Sequence, residues 1–137
     1  MRRMLVTACS AAIALLAACG SDSGTGPTQA SVVGTWNLTT VNGAPLPFTI
    51  QATNPKLEIL SDQYVLAANG TFTESFQLRG TDGTTVTTQS FTDAGTYQLN
   101  GTAVTVTYTD GSSLTGTLSG NTVTIAQLGA SLVYSRQ

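Results

Sequence analysis

Tight-turn dipeptides punctuate this chain at short intervals: Asn42-Gly43, Asn69-Gly70, Asp82-Gly83, Asn100-Gly101, Asp110-Gly111 and Gly120-Asn121. Each tolerates the positive φ that a two-residue hairpin turn demands, and no other short sequence signals a hairpin as strongly. Between them, apolar and hydroxyl side chains alternate with the two-residue period of a strand. Val104, Val106 and Tyr108 alternate with Thr105, Thr107 and Thr109. Leu114, Gly116 and Leu118 alternate with Thr115 and Thr117, and Val123 and Ile125 with Thr122 and Thr124. Leu132 and Tyr134 belong to a final strand. Consecutive strands joined by tight turns make a meander, not a Greek key.

Upstream, Trp36 and Leu38 share one face of a first strand, and a short strand is expected at residues 46–51, bounded by Pro45 and Pro47. Leu57 and Ile59 begin a third, and residues 64–67 continue it or start another. Phe72, Phe76 and Leu78 share a face of the strand after Asn69-Gly70. Val86 and Phe91 have opposite parity, so residues 84–91 read as bulged or irregular. The count is about eight to ten antiparallel strands. A sheet of that size either exposes two edges or closes on itself, and an up-and-down barrel removes the edges. The body is rich in Thr and Val, residues that suit a half-buried pleated surface. No stretch beyond the N-terminal segment sustains a 3.6-residue apolar period, so the expected class is all-β.

The N-terminal segment is different. Arg2 and Arg3 precede an apolar run from Leu5 to Ala18, the charged and apolar regions of an export signal. A run of about 14 residues is shorter than the roughly 20 of a membrane-spanning helix. The simplest reading is an ordinary signal helix cut after Ala17-Ala18. Against it, Leu16-Ala17-Ala18-Cys19-Gly20 resembles the bacterial lipobox. That resemblance implies cleavage before Cys19, a diacylglyceryl group on its thiol and acylation of the new amine. Residues 20–29 are Gly, Ser, Thr, Asp, Pro and Gln, a composition that builds a tether rather than a core. The expected organisation is a signal peptide over 1–18, the lipidated Cys19 and linker over 19–30, and one barrel domain over 31–137. Gly20, rather than Asp, points to the outer membrane, facing the periplasm. The membrane, held through the N-terminal lipid, is thus an expected partner.

Charge and residue inventory exclude much chemistry. Beyond the signal, Lys56, Arg79 and Arg136 stand against seven acidic residues. So few cations cannot track a phosphate backbone, and no nucleic acid is expected as a partner. The chain has no His, and its second Cys, Cys9, lies inside the signal. Ser-His-Asp and Cys-His arrangements are therefore excluded, and disulfides and thiolate metal sites with them. Asp82, Asp93 and Asp110 read as solvated turn formers, and no single loop gathers the carboxylates that calcium wants. A non-enzymatic, cofactor-free, metal-free monomer is expected.

The ends of the body carry a second resemblance. Gly34-Thr35-Trp36 opens the first strand and Leu132-Val133-Tyr134-Ser135-Arg136 closes the last. A Gly-x-Trp start with an Arg near the end resembles the lipocalin pattern, in which the Arg lies over the Trp ring at barrel closure. Asn69-Gly70-Thr71-Phe72, Asp93-Ala94-Gly95-Thr96-Tyr97 and Asn100-Gly101 are likewise similar to small bacterial lipocalin-like domains. The resemblance implies a membrane-anchored envelope lipoprotein whose barrel can hold a small apolar ligand. The body is shorter than a typical lipocalin and shows no helix near the late strands. The alternative is a barrel filled by its own side chains that contacts another envelope component.

Trp36 and Arg136 are the candidate closure pair, with Trp36 also open to reading as a ligand-stacking wall. Glu74 shares the parity of Phe72, Phe76 and Leu78, so strict alternation points a carboxylate inward. It either reaches water at a rim or bulge, or anchors a ligand head group. Glu74, Phe72, Phe76, Tyr97 and Tyr108 form the candidate ligand-binding set. Tyr64, Tyr97, Tyr108 and Tyr134 either line a pocket or cap a core with the hydroxyl at its rim. Small inward residues such as Gly116 leave space, while Trp36, Phe72, Phe76, Tyr97 and Tyr108 consume it.

Overall fold

A computed structural model describes residues 27–137. The expected signal peptide over 1–18, the lipidation site Cys19 and most of the tether lie outside the described residues. Gln29–Ser31 form one 3-10 turn ahead of the first strand. Ten strands follow: β1 (Gly34–Val41), β2 (Ala44–Pro45), β3 (Phe48–Gln51), β4 (Lys56–Leu66), β5 (Thr71–Asp82), β6 (Thr85–Asn100), β7 (Ala103–Tyr108), β8 (Ser113–Ser119), β9 (Thr122–Gln127) and β10 (Ala130–Arg136). The domain is all-β, as the turn spacing and alternation predict.

Eight of these strands make a closed antiparallel barrel. From β4 to β10 each strand pairs with its sequence neighbour. β1 completes the ring, pairing with β10 along one edge and with β4 along the other. The short β2 and β3 pair with β1 and β4, beyond the stretch where those two strands bond to each other. Register shifts near Thr39 in β1 and Leu60 in β4 add one residue to each strand. Such bulges increase local twist and let a sheet curl into closure. All six turn dipeptides fall between strands or at their ends. At Asn42-Gly43 both residues take positive φ, and Asn42 exchanges two hydrogen bonds with the Ser131 backbone, clasping the turn to β10.

Of the two readings of residues 64–67 the continuation holds: β4 runs on through the Leu60 bulge to Leu66. One expectation changes. Residues 84–91 are neither bulged nor irregular, and β6 pairs with β5 without a register shift from Thr85 to Thr96. The opposite parity of Val86 and Phe91 carries no penalty there, because both side chains are exposed. Only Gly95–Asn100 of β6 pairs with β7, so β5 and β6 rise as a tall hairpin above the short strands on that side.

Burial is uneven along the barrel axis. At one end Val32, Trp36, Leu66, Phe72, Tyr97, Val104, Leu118 and Val123 form a packed floor. Each large apolar side chain buried there contributes about 1.5–3 kcal/mol. Gly116 does not leave space: a Cβ on it would meet Val123 Cγ1 at 2.7 Å and Ile125 Cγ1 at 2.9 Å. Gly95 is as tightly covered, by the Phe72 ring and the Thr107 carbonyl. A gap of about 30 Å³ remains in the floor, bordered by Trp36, Tyr64, Val104 and Val123. That is room for about one water molecule.

Candidate functional site

The floor is sealed by the chain that enters it. Trp36 Nε1 donates to the Val32 carbonyl at 2.8 Å, fixing the 3-10 turn across the barrel bottom. Arg136 stands opposite Trp36 in the β1–β10 register, with its guanidinium carbon 5.0 Å from the indole centre. Its Nη2 donates to the carbonyls of Ser31 and Val33. Phe72 and Tyr97 are also in the floor, each about 2% exposed, and the Tyr97 hydroxyl donates to the Ala67 carbonyl. Neither of these two members of the candidate ligand set lines the cavity above the floor.

Above the floor the barrel opens into a cavity of about 450 Å³. Small-molecule pockets span about 300–1,000 Å³. Ile59, Leu78, Leu114 and Leu132 give it aliphatic walls, and Tyr64, Phe76, Phe91, Tyr108 and Tyr134 give it aromatic ones. Phe76, Tyr108 and Glu74, the other three candidates, all line it. The rings form a layer between floor and cup. Tyr64 packs against Phe72 at 5.7 Å and edge-on to Tyr134 at 5.4 Å; Tyr108 meets Phe72 edge-on at 5.3 Å. With aromatic bulk concentrated at one end, the other end stays open.

The polar groups of the cup are carboxylates and phenols. Asp62, Glu74 and Asp93 all line it, alongside Gln127. Glu74 faces Tyr64 on β4 and Asp93 on β6 in the strand registers. Asp62, opposite Phe76, is the diagonal neighbour of Glu74 on the same face. Asp62 is 6% exposed. Its Oδ2 accepts from the Tyr134 hydroxyl at 2.7 Å, while Oδ1 has no hydrogen-bond partner. The Tyr64 and Tyr108 hydroxyls pair with each other at 2.6 Å.

Burial and the neighbouring Glu74 charge push the Asp62 carboxyl up to about 7, despite the opposing Tyr134 hydrogen bond. Burial likewise raises the Tyr64, Tyr108 and Tyr134 phenols, so they remain neutral hydroxyls throughout the physiological range. The mouth is bordered by Glu74, Asp93 and Asp110. Hydrogen bonds from Ser112, side chain first, hold Asp110 below the ordinary carboxylate range.

Asp62 and Asp93 were not among the sequence candidates. Asp93 is no turn former: it lies inside β6, opposite Glu74. The nearby Gly95 looks like turn chemistry but serves close packing under Phe72. Asp62 shares parity with Tyr64 and Leu66, so the alternation within 62–66 could have found it. The Leu60 bulge hides that phase from the Leu57–Ile59 stretch. Among the described residues, no three His, Cys, Asp or Glu side chains converge as a metal site requires.

The family model described as "Lipocalin-like domain" matches residues 32–127. Among solved structures, the crystal structure of an uncharacterized protein from Bacteroides eggerthii is similar, with 12% identity and a TM-score of 0.45. The alignment covers 77% of this chain and 98% of that chain. No curated protein matches the chain.

Proposed function

The chain belongs to the family of lipocalin-like domains, and from that premise we propose that it is a binding protein of the cell envelope. Its cup holds a small molecule with an apolar body. The observation that carries this reading is the cavity of about 450 Å³ above a fully packed floor. Apolar and aromatic walls supply burial, and a few convergent polar groups supply orientation, the usual division of labour in small-molecule pockets. The lipobox-like Leu16-Ala17-Ala18-Cys19 supports a lipid anchor that keeps the cup beside the membrane. A single acyl chain binds membranes only marginally, and further chains make the attachment durable.

The test is an equilibrium titration of the purified protein with the neutral fluorescent probe N-phenyl-1-naphthylamine. The expected result is saturation near one probe per chain, weakened by Leu114→Trp, which fills the cup. Val86, exposed near the tip of the tall β5–β6 hairpin, favours a second reading, a domain that contacts another envelope component. A folded protein that shows no saturable binding supports that second reading and removes the first.

A further inference from the structure

The electrostatics of the cup restrict what it can hold. Glu74 and Asp93 are cross-strand partners, and like charges directly opposite one another are unfavourable. The lining includes no Lys or Arg. The three cations among the described residues are engaged elsewhere: Lys56 and Arg79 pair with Glu58 at 2.8 Å, and Arg136 lies over Trp36. Beneath the two opposed carboxylates, Asp62 is buried with Oδ1 unpartnered, a third acidic group in the lining. The carboxylates do not converge closely enough for a metal ion.

Resting on the reading of the cup as a binding site, we infer that its ligand is an organic ammonium compound with an apolar or aromatic body. The ammonium group lies between Glu74 and Asp93, and the apolar body lies against Phe76 and Leu114. A carboxylate-bearing ligand, such as a fatty acid, brings a further negative charge into the cup and is disfavoured.

Three probes with one naphthalene body test the charge: 2-(naphthalen-1-yl)ethylammonium, 2-(naphthalen-1-yl)ethanol and naphthalen-1-ylacetate. Each competes with N-phenyl-1-naphthylamine on the purified protein. The expected result is that the ammonium probe binds about 10-fold tighter than the alcohol, a difference of about 1.4 kcal/mol, with the acetate weakest. That preference disappears in the folded Glu74→Gln/Asp93→Asn double variant, while affinity for the alcohol is retained. Equal binding of ammonium and alcohol, or tightest binding of the acetate, overturns the cationic ligand and leaves the cup reading intact. Failure of N-phenyl-1-naphthylamine itself to bind overturns the cup reading, and the cationic ligand with it.

Discussion

Arg136 and Trp36 face each other across β10 and β1, with the guanidinium carbon 5.0 Å from the centre of the indole ring. The contact joins the last strand to the first. Through the Ser31 and Val33 carbonyls, it also ties down the turn that plugs the barrel floor. One side chain therefore contributes to both closure and plugging.

Arg136→Ala removes a cation–π contact of about 0.5–2 kcal/mol and two charge-assisted hydrogen bonds to carbonyls. The expected loss of stability is about 2–3 kcal/mol in urea unfolding. Trp36 emission shifts to the red as water reaches the floor. An unchanged spectrum and midpoint would mean that the seam does not need the pair.

Asp62 predicts a pH dependence of stability. Its folded-state value of about 7 lies above the ordinary 3.8, so between those values the folded chain binds more protons than the unfolded chain. For this group stability is greatest at the acid end of the window and falls as pH rises from about 4 to 7. Glu58 acts in the opposite sense at lower pH. Hydrogen bonds from Lys56 and then Arg79 hold it below 4.5, so its stabilisation is lost as pH falls through its folded value. Asp62→Asn keeps an acceptor for Tyr134 and removes the ionisation. At pH 8 the variant is expected to be more stable than the wild type, by on the order of 2 kcal/mol, and the two converge as pH falls toward about 4. Parallel melting curves from pH 5 to 8 would contradict this.

The β9–β10 turn contains a local defect. Leu128 takes φ +50 and is fully exposed, followed by Gly129 at φ +80. An exposed leucine in the left-handed region packs nothing in return for the steric cost, whereas Asn adopts that conformation readily. Leu128→Asn is expected to stabilise the domain by about 0.5–1 kcal/mol. A lowered melting temperature would show that Leu128 makes a contact worth more than the strain.

That turn also shows where the sequence was hard to read. Asn42-Gly43 and its five counterparts announce hairpins because their residue types accept positive φ; Leu128 does not, though its backbone does the same. The meander and its closure were legible because period-2 alternation survives wherever one face is buried, as in β7 to β9. In β6 the alternation carries little meaning, since the tall hairpin exposes both faces. The inward direction of Glu74 followed from its parity with Phe72 and Phe76. The acidic character of the cup did not, because it arises when β4, β5 and β6 align Asp62, Glu74 and Asp93 from separate parts of the chain. Nor could residue counting decide between a filled and an open barrel. The answer lies in how Trp36, Phe72 and Tyr97 segregate to one end while Phe76 and Tyr108 border the other.

The proposed ligand site is the space between the aromatic layer and the rim. The most direct measurement is a methyl-labelled NMR titration with N-phenyl-1-naphthylamine, recording intermolecular contacts. Saturable shifts and contacts are expected at the Leu78, Leu114 and Leu132 methyls, with the floor methyls of Val104 and Val123 showing no contact. Shifts confined to the outer-surface methyls of Val86 and Leu128, or none that saturate, would contradict it.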